Sequence, residues 1–147
     1  MSHLANPDFA ACVAASFDKQ NAMRLIRASM PVIEHGRTEI HVPHWSGVEQ
    51  QHGFVHGGVV GMIADSAAGY AAMTMVPASA SVLTVEYKMN LVAPADGEKL
   101  IARGAVVRPG RTLIVTKAEV FAVTGEKSTL CALMQQTIMV MHGKRER

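Results

Sequence analysis

Cysteine, aromatic residues and long apolar runs are all scarce in these 147 residues. The only cysteines, Cys12 and Cys131, stand far apart among apolar neighbours, which argues against a disulfide framework or a thiolate metal site. A reducing, cytoplasmic location is the expectation that follows, with no metal. Aromatics make up 5% of the chain, with a single tryptophan, and no basic stripe is interleaved with them, so nucleic acid is not expected as a partner. Formal charge is only +2, and part of the basic excess is Lys144, Arg145 and Arg147, expected to lie in a flexible, solvated tail over 142–147. No apolar run approaches the roughly twenty residues of a membrane helix. Phe9 to Phe17 is apolar, but Asp8 and Asp18 flank it and no lysine or arginine precedes it, which speaks against a secretory signal. Repeats, linkers and low-complexity tracts are lacking too, and 1–147 is expected to be one domain.

What is present is a sequence of short apolar segments, 49% hydrophobic residues in all. Asn6-Pro7-Asp8 reads as a helix start, with Asn6 as cap, so a first helix is expected over about 6–19. From Met23 to Val42 the pattern is extended, with a turn at Glu34-His35-Gly36, and Pro43 to Phe54 reads as a loop. Gly57 to Met75 is apolar or small on nearly every side and ends before Pro77, which marks a buried central helix. Strands are expected at Ser81–Leu91, Glu98–Arg108, Thr112–Val123 and Ser128–Met141. In the first of these, Leu83, Val85, Tyr87, Met89 and Leu91 alternate with Thr84, Glu86, Lys88 and Asn90, so the two sets are expected on opposite faces. An antiparallel sheet wrapped around one helix buries that helix most simply, which gives an α+β class.

A single acid, Asp65, interrupts the central helix, and a buried carboxylate is costly unless partnered. It either pins the helix to a loop or does chemistry. His56-Gly57-Gly58 leads into the same helix; the glycines either allow a tight turn or let a ligand reach the free N–H groups at the positive end of the helix dipole. The spacing adds a constraint. Gly57 and Asp65 are eight residues apart, about 12 Å of helical rise, so one reacting carbonyl cannot touch both. Two such helices running antiparallel across a two-fold axis would bring Gly57 of one chain to Asp65 of the other. The pairs His52/His56 and His41/His44 have spacings that metal ligands can show, but they fall on loop and strand; His56 is expected to bond loop backbone at the helix entrance.

In its motifs the chain resembles hotdog-fold thioesterases of the phenylacetic-acid-pathway type. The resemblance runs from about Pro31 to Met141. It is carried by Gly53-Phe54-Val55-His56-Gly57-Gly58 with Ala64-Asp65, by Thr84-Val85-Glu86-Tyr87, by Asn90 to Pro94, and by Arg108-Pro109-Gly110-Arg111-Thr112. It implies hydrolysis of an acyl-CoA, with Asp65 as nucleophile or general base and the Gly57 N–H in the oxyanion hole. His56 shapes that entrance, Thr84 orients water or the carboxylate, and Gln50 stands where the family often has asparagine. Gly58, Asn90, Arg108, Gly110 and Arg111 are the implied contacts to coenzyme A, which is part of the substrate; no cofactor is implied. A homodimer is the implied minimum, and a homotetramer, a dimer of dimers, the expected assembly. A hotdog dehydratase or hydratase and a non-catalytic acyl-CoA sensor are the alternatives, and the acyl pocket is expected to depend on Met62, Tyr70 and Leu83.

Overall fold

The computed structural model describes residues 4–144 and 146; the expected tail residues Arg145 and Arg147 lie outside them. Its elements are α1 (Phe9–Lys19), α2 (Asn21–Leu25), β1 (Ser29–Glu34), β2 (Arg37–Pro43), α3 (Gly57–Met73), β3 (Ser81–Leu91), β4 (Lys99–Arg108), β5 (Leu113–Thr124) and β6 (Lys127–Met141). The strands form one six-stranded antiparallel sheet in the order β1-β2-β4-β5-β6-β3, with α3 packed on one face. This is the hotdog fold, α+β, as expected.

The small residues of α3 explain how closely it sits. Val60, Ile63, Ala64, Ala67 and Ala68 are wholly buried in one cluster with Ile40, Leu100, Ala102 and Val120 from the sheet. At Gly104 on β4 the strand and helix backbones nearly touch: a Cβ there would lie 2.3 Å from the Ala67 carbonyl. Thr38 secures the same point by donating from Oγ1 to the Ala67 carbonyl at 2.7 Å.

Four expectations need correction. The first helix starts at Phe9, not 6, because the Asn6 side chain accepts from the Asp8 N–H at 3.0 Å and closes a turn ahead of the helix. Met23 belongs to the short helix α2 and not to a strand; α2 ends at Leu25, and two residues on Arg27 takes a left-handed φ of 62° and stacks its guanidinium 3.8 Å over the Trp45 ring. A five-residue helix is too short to leave a periodic signature. The loop from 43 to 54 carries a single 3₁₀ turn, Ser46–Val48. The central helix stops at Met73, not 75, since Thr74 bonds back to the Ala71 carbonyl and accepts from the Gly36 N–H. The four later strands lie within a residue of their expected limits.

β3 departs from its expected alternation. Thr84 pairs with Ile138 and Glu86 with Thr137, so Val85 is a bulge. Such an extra residue reverses the facing of everything on one side of it. Thr84 therefore shares the helix-facing side with Tyr87, Met89 and Leu91, not with Glu86 and Lys88. β3 is also mostly exposed where the alternation predicted half-burial: it pairs only with β6, and Leu83, Val85, Tyr87 and Leu91 are each at least half exposed. Among the described residues, no helix is long and apolar enough to cross a membrane.

Candidate active site

Asp65 lies half-buried at the rim of a cleft and not sealed in the core, which corrects the expectation from sequence. Its Oδ1 accepts from Thr84 Oγ1 at 2.6 Å and from Gln136 Nε2. Gln136 Nε2 also reaches Thr84 Oγ1 at 2.9 Å, and its Oε1 accepts from Thr116 at 3.3 Å. No described residue bonds Oδ2. One carboxylate oxygen is thus anchored from two strands while the other is left for a ligand or water.

Gln136 was not singled out from the sequence, although a signal exists. Ala132, Met134, Ile138 and Val140 mark the buried face of β6, and Gln136 fills the middle slot of that otherwise apolar series with only 1% exposure. Polar side chains are rarely spent there without a partner to satisfy. The Val85 bulge is the other hidden element, since it is what turns Thr84 toward Asp65.

The entrance to α3 forms a second centre. His56 caps the helix with its own side chain, Nδ1 accepting from the Gly58 N–H at 2.8 Å. That bond uses the Gly58 donor. The Val59 and Val60 N–H groups bond the His56 carbonyl, whereas the Gly57 N–H meets no described acceptor. Of the first helical amides, Gly57 is therefore the one free to bind an anion. It lines a cleft of about 440 Å³ with Gln50, Val60, Leu91 and Pro94. The Gln50 loop is held by the Gln50 N–H to the Phe54 carbonyl at 2.8 Å, and the Gln50 Oε1 accepts from the His52 N–H, while the side-chain NH2 meets no acceptor among the described residues. His44 braces the loop from below, with Nδ1 2.8 Å from the Gly97 carbonyl and Nε2 3.0 Å from Glu49 Oε1.

Asp65 and Thr84 line a different cleft, of about 330 Å³, with Ser66, Gly69, Tyr70 and Val82. Within one chain, then, the structure brings Asp65 to Thr84 and Gln50 to Gly57, and keeps the two pairs apart. Of the three residues expected to shape an acyl pocket, Tyr70 and Leu83 line the Asp65 cleft and Met62 packs against the core. Asn90 lies on the outer face of β3, opposite Leu91, and joins neither pair; it borders a depression with Lys88, Lys117 and Gln135. Arg108 and Arg111 are exposed on the β4–β5 turn, where a Cβ on Gly110 would fall 2.1 Å from the Leu113 carbonyl oxygen, so this turn admits only glycine. Leu113, Met139 and Leu83 are in register across β5, β6 and β3, which sets that turn one residue from the level of Thr84, the strand partner of Asp65. Among the described residues, no group of three His, Cys, Asp or Glu side chains gathers as a metal ion would need.

Comparison with known proteins agrees with this fold. A Halobacterium salinarum protein provisionally named an esterase is 30% identical over 122 residues, 80% of this chain and 79% of that protein. The crystal structure of a thioesterase family protein from Silicibacter pomeroyi superposes with a TM-score of 0.90 at 40% identity, over 92% of this chain and 99% of that one. The PaaI protein of the E. coli phenylacetic acid degradation operon shares the fold, with a TM-score of 0.84 at 15% identity over 97% and 99% of the two chains. Residues 52–129, which hold Gly57, Asp65 and Thr84, match the family described as Thioesterase superfamily, and the chain belongs to that family.

Proposed function

We propose that this thioesterase hydrolyses acyl-CoA at two equivalent sites, each shared between two copies of the chain, in the manner of the phenylacetic-acid-pathway type. The observation that carries this reading is the division of the chemistry within one chain: an anchored carboxylate in one cleft and a free helix-start N–H in another, eight residues away. β3 supplies the means of joining them. It is an eleven-residue edge strand with one side unpaired and an apolar surface, a template for a second strand. Thr84 on β3 touches Asp65, and Leu91 lies against Gly57, 3.1 Å from where its Cβ would be. With the Val85 bulge counted as one extra residue, a two-fold axis through Lys88 sets Thr84 of one copy opposite Leu91 of the other, and so Asp65 opposite Gly57.

In the completed site the Gly57 N–H, at the positive end of α3, stabilises the oxyanion that forms as the thioester carbonyl is attacked. Asp65 Oδ2 acts in one of two ways. It takes a proton from the attacking water and passes it to the departing sulfur as the C–S bond breaks. Or it attacks the carbonyl itself, expelling the thiolate of coenzyme A, which takes a proton from solvent, and forming an acyl anhydride that water then hydrolyses to the free acid and the restored carboxylate. Thr84 and Gln136 fix the carboxylate through Oδ1 in either route, and the Gln50 amide stands beside the thioester. Arg108 and Arg111 suit the phosphates of the nucleotide. A second contact through the outer face, where Leu83, Leu113 and Met139 form an exposed apolar row, pairs dimers into a tetramer. Both cysteines are free, which fits a reducing cytoplasm.

Thiol release from a panel of acyl-CoAs tests the reading: turnover that falls at least about a hundredfold in Asp65→Asn supports it. Tight binding without turnover would make the protein a sensor instead. A single turnover in heavy-oxygen water, followed by mass analysis of the Asp65 peptide, tests for the covalent route: label in the carboxylate requires an anhydride opened by water at the aspartyl carbonyl.

A further inference from the structure

Gln136 is not alone among the apolar residues that the sheet turns toward α3. On the next strand, β5, Thr116 stands between Ile114 and Ala118 and is wholly buried. The two are register partners. A valine would fill the Thr116 position with much the same shape and strand preference and bring no hydroxyl to bury. The other buried threonines return their proton to the backbone, Thr38 to the Ala67 carbonyl and Thr74 to the Ala71 carbonyl. Thr116 donates instead to a side chain, Gln136 Oε1, at 3.3 Å.

The direction of each bond in this series is set from the carboxylate outward. A carboxylate only accepts, so the Gln136 group that faces Asp65 Oδ1 is the NH2 and not the carbonyl. Thr84 gives its one proton to the same oxygen, and its Oγ1 accepts from Gln136 Nε2 at 2.9 Å, with the Asp65 carbonyl, 3.4 Å from Nε2, a weaker third acceptor. Gln136 Oε1 is thereby turned into the sheet, where among the described residues Thr116 alone donates to it. A full flip of the amide would set Oε1 against the carboxylate, and Asp65 itself prevents it. A partial rotation is opposed at the other end by the Thr116 hydroxyl. Without that hydroxyl Oε1 is a buried acceptor with no donor, and the amide gains by swinging toward the water of the cleft, which takes its NH2 off Asp65.

We propose that Thr116 is a positioning residue for the hydrolysis: shut away from any substrate, it holds the Gln136 amide so that Asp65 Oδ1 stays fixed and Oδ2 stays aimed at the thioester. This rests on the hydrolase reading above and adds to it a residue that acts on the carboxylate only through Gln136.

Steady-state thiol release compares Thr116→Val, which keeps the shape without the hydroxyl, with Thr116→Ser, which keeps the hydroxyl without the methyl. Thr116→Val lowers kcat about three- to thirtyfold at unchanged KM, and Thr116→Ser stays within about twofold of the wild type. In a Gln136→Leu background Thr116→Val has no further effect on kcat, because the amide it acts through is gone. Wild-type kcat in Thr116→Val, a serine variant as slow as the valine one, or full additivity with Gln136→Leu overturns the proposal and leaves the hydrolase intact. A second readout needs no turnover. The nitrogen-15 NMR signal of the Gln136 NH2, identified by its loss in Gln136→Leu, exchanges its hydrogens slowly in the wild type and in Thr116→Ser and faster in Thr116→Val; equal exchange in all three overturns the proposal. If no acyl-CoA releases thiol, it is the hydrolase reading that falls, and the amide signal decides whether Thr116 holds Gln136 on Asp65.

Discussion

Complementation between two inactive variants is the sharpest test of a site split between subunits, and the structure supplies an unusually clean variant for one half. Gly57 is the first residue of α3, and its N–H is the donor at issue. Proline suits the first helical position, where its missing N–H is not needed by the helix. His56, with φ −58° and ψ 135°, already has the extended conformation that a following proline demands. A Cβ at Gly57 meets only the Leu91 methyl at 3.1 Å, the end of a flexible side chain on an exposed strand. Gly57→Pro therefore deletes one hydrogen-bond donor with little else, and loss of such a donor costs about 3–4 kcal/mol, or about a hundred- to a thousandfold in kcat. Asp65→Asn keeps the shape of the other half and removes its charge.

In a heterodimer of the two variants, one site inherits both lesions and the other inherits neither. Equimolar subunits that unfold together and reassemble at random give heterodimers as about half of all dimers, each with one intact site of two. The mixture should recover about a quarter of the wild-type kcat at unchanged KM, from parents that each retain about 1% or less. Steady-state thiol release measures it, with mass spectrometry of the intact assembly confirming that heterodimers formed. If both residues served the same chain's site, no combination would restore activity, and a mixture that stays at the level of its parents despite proven heterodimers refutes the shared site.

Gln136→Leu removes two donors from the Asp65–Thr84 pair and orphans buried Thr116; kcat should fall about ten- to a hundredfold and urea stability by about 1–3 kcal/mol, with unchanged turnover refuting the anchoring role. Replacing Arg108 and Arg111 with alanine should raise KM for acyl-CoA at least about threefold and spare the matching pantetheine thioester, and an equal effect on both would remove these arginines from the phosphate site. The third concerns Glu39, only 8% exposed, where burial alone would raise the carboxyl pKa but hydrogen bonds from Arg37 and His41 and the Arg103 charge outweigh it and hold it below the usual glutamate range. A lowered folded-state pKa gives stability that is present above the unfolded value and lost as pH falls through the folded one. Urea midpoints should therefore drop on acidification below about pH 4.5, and less steeply in Glu39→Gln; identical slopes would show that Glu39 is not the titrating group.

The parts of this fold legible in the sequence are those written by a long period or by strong punctuation. Nineteen residues of nearly uniform small and apolar character announced α3, and its observed end at Met73 differs only because Thr74 turns its hydroxyl back onto the helix. The four later strands were bounded by Pro109-Gly110 and Gly125, and the structure keeps those bounds within a residue. Where the sequence misled, a single residue outweighed a pattern. The apparent alternation through Ser81–Leu91 is regular in letters, yet Val85 bulges, and Thr84 joins the face of Leu91. A bulge leaves no mark in the periodicity of a strand whose residues on both sides are β-branched or amphipathic, because either facing can be read from them.

That illegible residue is also what makes the carboxylate usable. Without the extra residue Thr84 would point to the outer face with Glu86 and Lys88, and Asp65 would lose its strand partner and keep only Gln136. Gln136 in turn is buried on β6, directly between β3 and β5, so its amide spans from Thr116 on one strand to Thr84 on the other. The acid is held from the sheet, while its own helix contributes only the position. Deleting the bulge, as in a chain lacking Val85, would keep the sheet's hydrogen bonds and move every residue from Ser81 to Thr84 to the opposite face. Asp65 and Gly57 would both survive that change unaltered. Their clefts would still be there, and the site between them would not work, because a catalytic carboxylate needs one oxygen fixed before the other can be aimed.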